Sequence, residues 1–298
     1  LKSGNINQKN YFSYINSDIE LGNFNINPAV RFDYFQFSFL DKLAPTFQID
    51  NEEKVKISPK LNFLFAPNNK VQYLLKSGLG FHSNDTRVIV SQPDKKTLPT
   101  SVGADLGTIF KPMNNLIINS ALWFLQLDQE FVYVGDAGIV EPSGKTRRMG
   151  IDFGFRYQLS KFINLNSDIN YTYARSTNEP KGQNFIPLAP DLTSTGGISV
   201  TNYKGFSSNL NYRFLKSRPA NEDNSIVAKG YCISDFNLNY QYKKINYGII
   251  IENIFDTKWN ETQFATESRL QNETQSVEEI HFTPGTPFFI KGKITYTF

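Results

Sequence analysis

Two histidines and one cysteine are the whole supply of imidazole and thiol groups in this chain: His82, His281 and Cys232. A closed zinc or copper site needs three or four such ligands, so the sequence predicts no structural metal and no cofactor. A lone cysteine also excludes an internal disulfide framework. Hydrolysis by an activated serine would need a histidine beside a Ser or Asp on an adjoining segment. His82-Ser83 is adjacent only in sequence, and His281 lies in a long polar stretch. Three arginines, Arg147, Arg148 and Arg218, offer planar forks that could attract an anion. Phe81, Trp259, Phe264 and Phe282 could cap an apolar part of a ligand, or pack their own loops together.

These groups need a scaffold, and the scaffold is written in the period of the hydrophobic residues. Apolar residues make up 40% of the 298 positions and aromatics 14%, with 26 Phe and 15 Tyr. Such residues suit pleated surfaces. The mean hydropathy of −0.38 does not exclude a membrane barrel, because half of each spanning strand faces water. No run of about 18 apolar residues exists, so no α-helical span is expected. The net charge of +3 is too small to argue for nucleic acid. Leu1-Lys2-Ser3-Gly4-Asn5 has no apolar leader, and an exported protein needs one, so the expectation is that the start of the product is missing.

Alternation predicts about thirteen strands, near 11–21, 26–39, 54–66, 70–80, 101–111, 115–134, 144–159, 162–175, 192–203, 205–216, 228–243, 245–254 and 286–298. Their connections alternate. Short turns fall at 22–25, 67–69, 112–114, 160–161, 203–205 and 243–244; long loops fall at 40–53, 81–100, 135–143, 176–191, 217–227 and 255–285. Bacterial transmembrane barrels have this rhythm of short periplasmic turns and long extracellular loops. Charge assigns the faces, since Arg or Lys on the lipid side near mid-bilayer costs about 2–4 kcal/mol. Asp235, Asn237, Asn239 and Gln241 therefore point to the lumen and Phe236, Leu238, Tyr240 and Tyr242 to lipid. Asp152 and Arg156 point inward against Ile151, Phe153 and Phe155. Asn209, Asn211 and Arg213 oppose Leu210, Tyr212 and Phe214. The inward charges Arg31, Asp33, Lys56, Lys60, Arg147, Asp152, Arg156, Arg213 and Glu252 could line a substrate route or hold register by pairing. Tyr34-Phe35 breaks the alternation and predicts a β-bulge. Segment 115–134 is too long for one crossing, so Asp128–Val134 is expected to project beyond the bilayer. An odd strand count predicts missing strands, because single-chain bacterial barrels use even numbers.

Several segments resemble the C-terminal barrel half of a TonB-dependent outer-membrane receptor. Glu252-Asn253-Ile254-Phe255-Asp256 is similar to the family's Asn-Leu-Phe-Asp signature, followed as in the family by a long last loop, Pro287 and a final strand ending on Phe298. Arg31-Phe32-Asp33-Tyr34-Phe35 resembles the family's Arg-x-Asp-Tyr-Phe strand. Gly80-Phe81-His82-Ser83-Asn84-Asp85 resembles the stretch that opens one extracellular loop. Val134-Gly135-Asp136-Ala137-Gly138 and Arg218-Pro219-Ala220-Asn221-Glu222-Asp223-Asn224-Ser225 resemble a subgroup of it.

The resemblance implies an all-β fold, the C-terminal portion of a 22-stranded plugged barrel. It implies a place in the bacterial outer membrane, contact with lipid and with the barrel-assembly machinery through Phe298, and energy from TonB through a plug upstream. The plug matches nothing in this chain. The implied task is uptake of a scarce bulky nutrient: a siderophore-iron complex, a cobalamin-like molecule or a glycan. His82, Arg147, Arg148, Arg218, Trp259 and His281 are then candidate ligand contacts in the outer loops. A part-barrel leaves two strand edges unpaired in hydrocarbon, so the remaining strands are expected upstream or on a companion piece. Two other functions fit parts of the pattern: a passive porin, and a hydrolase on a smaller barrel of about 10–12 strands.

Overall fold

The computed structural model describes residues 3–43, 45, 49–82, 97–129, 131–134, 139–142 and 144–298. Its strands are β1 (Gly4–Asn16), β2 (Ile19–Leu21), β3 (Phe24–Asp41), β4 (Ile49–Asn68), β5 (Val71–Phe81), β6 (Thr100–Met113), β7 (Leu116–Leu127), β8 (Phe131–Val134), β9 (Ile139–Pro142), β10 (Thr146–Gln158), β11 (Ile163–Ser176), β12 (Leu192–Tyr203), β13 (Phe206–Leu215), β14 (Arg218–Pro219), β15 (Val227–Ala228), β16 (Tyr231–Tyr242), β17 (Ile245–Glu252), β18 (Asn260–Ser268), β19 (Val277–Pro284) and β20 (Phe289–Tyr296). One antiparallel sheet runs β1-β3-β4-β5-β6-β7-β10-β11-β12-β13-β16-β17-β20, and β2 continues β1 along the lower end of β3. The thirteen strands of this path match the sequence count, and the sheet does not close on itself.

The remaining elements are small hairpins in the long loops: β8 with β9, β14 with β15, and β18 with β19. The overlong segment at 115–134 divides as expected. Its barrel strand stops at Leu127, and 131–134 turns away to pair with 139–142. The loops at 217–227 and 255–285 carry more order than expected, because each contains one of these hairpins.

Cross-strand register confirms the two faces. Asp152 lies opposite Asn170 and Ala121, and Asp168 lies opposite Gly154 and Thr195, so these positions share one face. Ile151, Phe153, Ile169, Tyr171 and Tyr173 stand on the other and are exposed. Burying that second face in hydrocarbon is what a lipid-facing band requires. Rings gather on it at the short-turn end. Phe24, Phe65 and Tyr73 stack across three strands, and Phe206 stacks on Tyr240 with Tyr242 beyond.

Two expectations fail. No bulge exists at Tyr34-Phe35, since β3 pairs without a break with both β1 and β4. The alternation looks shifted because the inner face itself changes character there. Above Asp33 it carries Phe35, Phe37 and Phe39, all buried, with Leu98 packed on Phe35 and Phe37 and the Phe81 ring edge-on to Phe35 at 5.7 Å. Arg147 is not an inward charge. It pairs with Gln126 and Arg175, in the row of Met149 and Ile151, whereas Arg148 has the lumen parity. A double arginine puts one fork on each face, and parity alone decides which.

Pairing is also uneven in height. β3 and β4 stay paired up to Leu40 and Ile49, but the pairing of β4 with β5 ends at Lys60 and Gly78.

The Asn-Ile-Phe-Asp turn after β17 has a mechanical role. Asn253 is buried in a left-handed conformation, φ 48°. Its backbone N–H donates to Asp235 Oδ1 at 2.8 Å; its amide donates to the Thr257 and Thr286 carbonyls at 2.9 and 3.0 Å and accepts from Thr257 N–H at 2.9 Å. Asp256 accepts the Phe288 N–H at 3.0 Å. Together these bonds clasp the end of β17 to the start of β20. An Asn tolerates the left-handed backbone and satisfies every buried partner, which few other side chains do.

Candidate functional site

The lumen face is a wall of paired charges. Arg31 forks onto Asp33, Nε to Oδ2 and Nη2 to Oδ1 both at 2.8 Å, with Asn10 donating to Oδ1 at 3.1 Å and the Phe12 ring 4.0 Å from the guanidinium carbon. Lys56 donates to the Thr100 hydroxyl, Arg156 pairs with Asp168 at 2.7 Å, and Lys291 pairs with Glu252 at 3.2 Å. Trp123 Nε1 and the Asn170 amide both donate to Asp152 Oδ1, at 3.0 and 2.9 Å. Gly150 makes room for this, since a Cβ there would lie 2.5 Å from the Trp123 ring. Most inward charges thus hold register. Lys60, Lys76 and Asp105 line clefts of about 710 and 600 Å³ with Trp123 and Asp152 between them.

At the long-loop end a second constellation gathers residues from two strands and two loops. Arg213, near the top of β13 on the lumen parity, lies opposite Thr195 and Ile233. Its guanidinium carbon is 5.7 Å from the Tyr231 ring centre and 5.3 Å from that of Trp259. Those two rings lie 4.8 Å apart, tilted by 57°. Trp259 is fixed by its indole N–H donating to the Thr286 carbonyl at 3.0 Å and by packing against Gly285, where no side chain could fit. Arg218, on β14, is half-buried, and its Nη1 is buried with no hydrogen-bond partner among the described residues. Burial pushes the Arg218 pKa down, and the nearby Tyr231 opposes that shift. The group stays a cation, since an arginine begins far above neutral pH. A buried N–H aimed at nothing is costly until an acceptor arrives.

A cavity of about 690 Å³ adjoins this cluster, lined by Trp259, Phe282, Ile280, Lys229 and Lys258. Gln263, buried in β18, exchanges two hydrogen bonds with the Lys229 backbone at 2.9 and 2.8 Å and ties the last loop to the β15 loop.

The structure therefore unites two of the sequence candidates, Arg218 and Trp259, and adds Arg213 and Tyr231. Tyr231 was missed, though it shares the parity of Ile233 and Asp235 and could have been placed by it. Arg147 and Arg148 stand on β10, three strands from β13 in the sheet. Arg147 is exposed and, among the described residues, reaches Gln126 at 3.5 Å. His82 Nε2 sits 3.2 Å from the Gln129 carbonyl oxygen, and His281 meets Ser268 Oγ at 3.0 Å on an exposed hairpin. Neither histidine joins the mouth cluster, and Ser83, like Gly135–Gly138, lies outside the described residues. Among the described residues no three His, Cys, Asp or Glu side chains converge as metal ligands.

The family model "TonB dependent receptor-like, beta-barrel" matches residues 1–254. The chain belongs to this TonB-dependent receptor family. Its members are transport receptors of the bacterial outer membrane, not enzymes. Among solved structures it is similar to the ferric citrate transporter FecA in its unliganded form, with a TM-score of 0.78 and 17% identity, over 97% of this chain and 45% of that one. It is similar to the closed form of the ferric-catecholate import receptor Fiu from K12 E. coli, with 0.74 and 13%, over 99% and 45%. The copper transporter OprC gives 0.74 and 14%, over 98% and 48%. The receptor chain thus spans less than half the length of these structures, and at such identities the likeness is one of fold. No curated protein sequence matches the chain.

Proposed function

We propose that this chain is the C-terminal part of a 22-stranded outer-membrane import receptor. Its ligand is a bulky anionic chelate, of the siderophore-iron kind rather than a cobalamin-like molecule or a glycan. The observation that carries this reading is the mouth cluster: Arg213 held against Tyr231 and Trp259, beside an Arg218 whose buried Nη1 has no acceptor among the described residues. Two forks recognise carboxylate or catecholate oxygens, and the rings take the apolar face of the chelate. FecA and Fiu are described as receptors for ferric citrate and ferric catecholate, which agrees with an anionic ligand. In the whole receptor an upstream plug fills the lumen against the paired wall of Arg31, Asp33, Asp152 and Asp168, and TonB supplies the energy through it. Phe298 at the chain end serves the barrel-assembly machinery.

The test uses the intact receptor and a panel of ferric citrate, ferric catecholates, cobalamin and neutral oligosaccharides. One anionic chelate is expected to bind, and Arg213→Gln with Arg218→Gln should weaken it about 10- to 100-fold, the size expected for losing one or two charge-assisted hydrogen bonds. Arg147→Gln should change nothing, because that side chain stands on the opposite face. Binding of a neutral ligand only, or unchanged affinity in the double variant, would overturn the reading.

A further inference from the structure

The short-turn end of the sheet carries a band of lysines that neither the lumen wall nor the mouth uses. Lys70, Lys161, Lys204, Lys243 and Lys244 lie in four of the six short turns and Lys111 two residues before the end of β6 at a fifth, and all are exposed. Among the described residues the acids at this end are Asp18, between β1 and β2, and Glu20, on β2, and Asp18 already accepts from Asn25 and Asn27. Acids gather instead at the opposite end, as with Glu267, Glu273, Glu278 and Glu279 around the β18–β19 hairpin.

Three of these lysines rest on the aromatic belt. The ammonium of Lys161 lies 4.9 Å from the Phe162 ring centre, that of Lys204 5.6 Å from Tyr203, and that of Lys243 5.5 Å from Tyr242. The rings join into one outer-face patch, for Phe162 meets Tyr203 edge-on at 5.2 Å and Phe206 stacks on Tyr240 beside Tyr242. A register shift between Val200 and Tyr203 is what turns Tyr203 to this face, opposite Phe206. Lys204 and Lys243 also occupy left-handed backbone, φ 52° and 50°. Tight turns give such positions to Gly, Asn or Asp, so a lysine there is held against its backbone preference. Charge, height and backbone all favour an anion at the level where rings leave hydrocarbon.

We infer that the rim from the β10–β11 turn to the β16–β17 turn binds the phosphates of anionic phospholipids, with Lys161, Lys204 and Lys243 as the contacts. The aromatic belt takes the upper acyl chains, and each ammonium reaches the headgroup by snorkelling along its own stem. This rests on the outer-membrane reading, which places the exposed apolar face in lipid.

The intact receptor is placed in phosphatidylcholine nanodiscs with trace spin-labelled phosphatidylglycerol or phosphatidylcholine. The wild type should hold the phosphatidylglycerol probe severalfold more strongly, with the preference falling at high salt. Lys161→Gln with Lys204→Gln and Lys243→Gln should bring the ratio to about one, while the same three changed to Arg should keep it. Equal retention of both lipids by the wild type, or an unchanged ratio in the glutamine variant, would overturn the proposal. So would loss of binding to an acidic peptide such as polyglutamate without any change in lipid ratio, which would make the rim a protein-docking surface. A receptor that never enters the nanodisc contradicts the membrane reading instead.

Discussion

The outer face contains one polar contact whose removal can be costed. Tyr212 leans across Gly196 to reach two serines, its hydroxyl 2.7 Å from Ser167 Oγ and 2.8 Å from Ser194 Oγ. Ser167, Gly196 and Tyr212 lie in one row of the sheet, on the parity of Ile169, Ile198 and Leu210. Three hydroxyls facing hydrocarbon have no water to fall back on, so they must satisfy one another. Tyr212→Phe removes both bonds, and at about 0.6 kcal/mol each on average and up to about 1.7 in bilayers, the loss is about 1–3 kcal/mol. Gly196→Ala acts differently: its Cβ would meet the Asn166 carbonyl oxygen at 2.5 Å, the Tyr212 ring at 2.8 Å and Ser167 Cα at 2.9 Å. Two of those are backbone, so the neighbouring strand must move at about 1–3 kcal/mol, and the displaced ring loses its bonds as well. The double variant should cost less than the two single changes together, by about the hydrogen-bond share of 1–3 kcal/mol, because those bonds can be lost only once. Urea unfolding of the intact receptor in lipid vesicles measures all three. Wild-type stability for Gly196→Ala, or strict additivity in the cycle, would refute the geometry and with it the facing of this strand.

Asn253→Ala should lower stability by about 2–4 kcal/mol, since it removes three side-chain hydrogen bonds from a buried clasp and leaves a left-handed residue without an Asn; the same unfolding assay and the yield of folded receptor check it. Deleting Phe298 should reduce the amount of receptor inserted in cells while leaving the stability of the inserted fraction nearly unchanged, as read by surface labelling against unfolding midpoint. In the loop after β13, the Ser225 hydroxyl and N–H hold the Asp223 carboxyl below the usual carboxylate range. A depressed carboxyl contributes order above its unfolded pKa and loses it only as pH falls through the lower folded value. Hydrogen exchange across 217–227 should therefore stay slow down to about pH 4 and quicken below it; quickening already between pH 7 and 5 would contradict the contact.

Parity carried most of the fold because each residue in a spanning strand must commit to one solvent. Asp235, Asn237 and Asn239 needed no neighbour to be placed, and the structure puts them where charge and hydration demand. The same rule misled at Tyr34-Phe35, because Phe35 and Phe37 are apolar for a local reason, burial under Leu98, that no single strand reveals. Arg147 and Arg148 were separable by parity, since Arg147 shares the row of Ile151 and Arg148 that of Asp152, and the register with β7 bears this out. The mouth was less legible. Arg218 and Trp259 lie 41 positions apart in the chain, and what joins them is Arg213 and Tyr231 on the neighbouring strands β13 and β16, together with a hairpin docked by Gln263. Loop side chains have no period, so their meeting depends on tertiary contacts alone.

The unequal height of the pairing has a mechanical meaning. Above Lys60 the β1–β3–β4 strands leave β5 behind and stand as a blade, with no described strand along the free side of β4. From Ile49 to Lys60 that cantilever extends about 35 Å along the strand. It can tilt without breaking a ladder bond of the wall beneath it, and among the described residues the phenylalanine row pressed on Leu98 and Phe81, with the Lys56–Thr100 hydrogen bond, sets its resting angle. A molecule wedged at that seam would bend the blade and leave the wall unmoved.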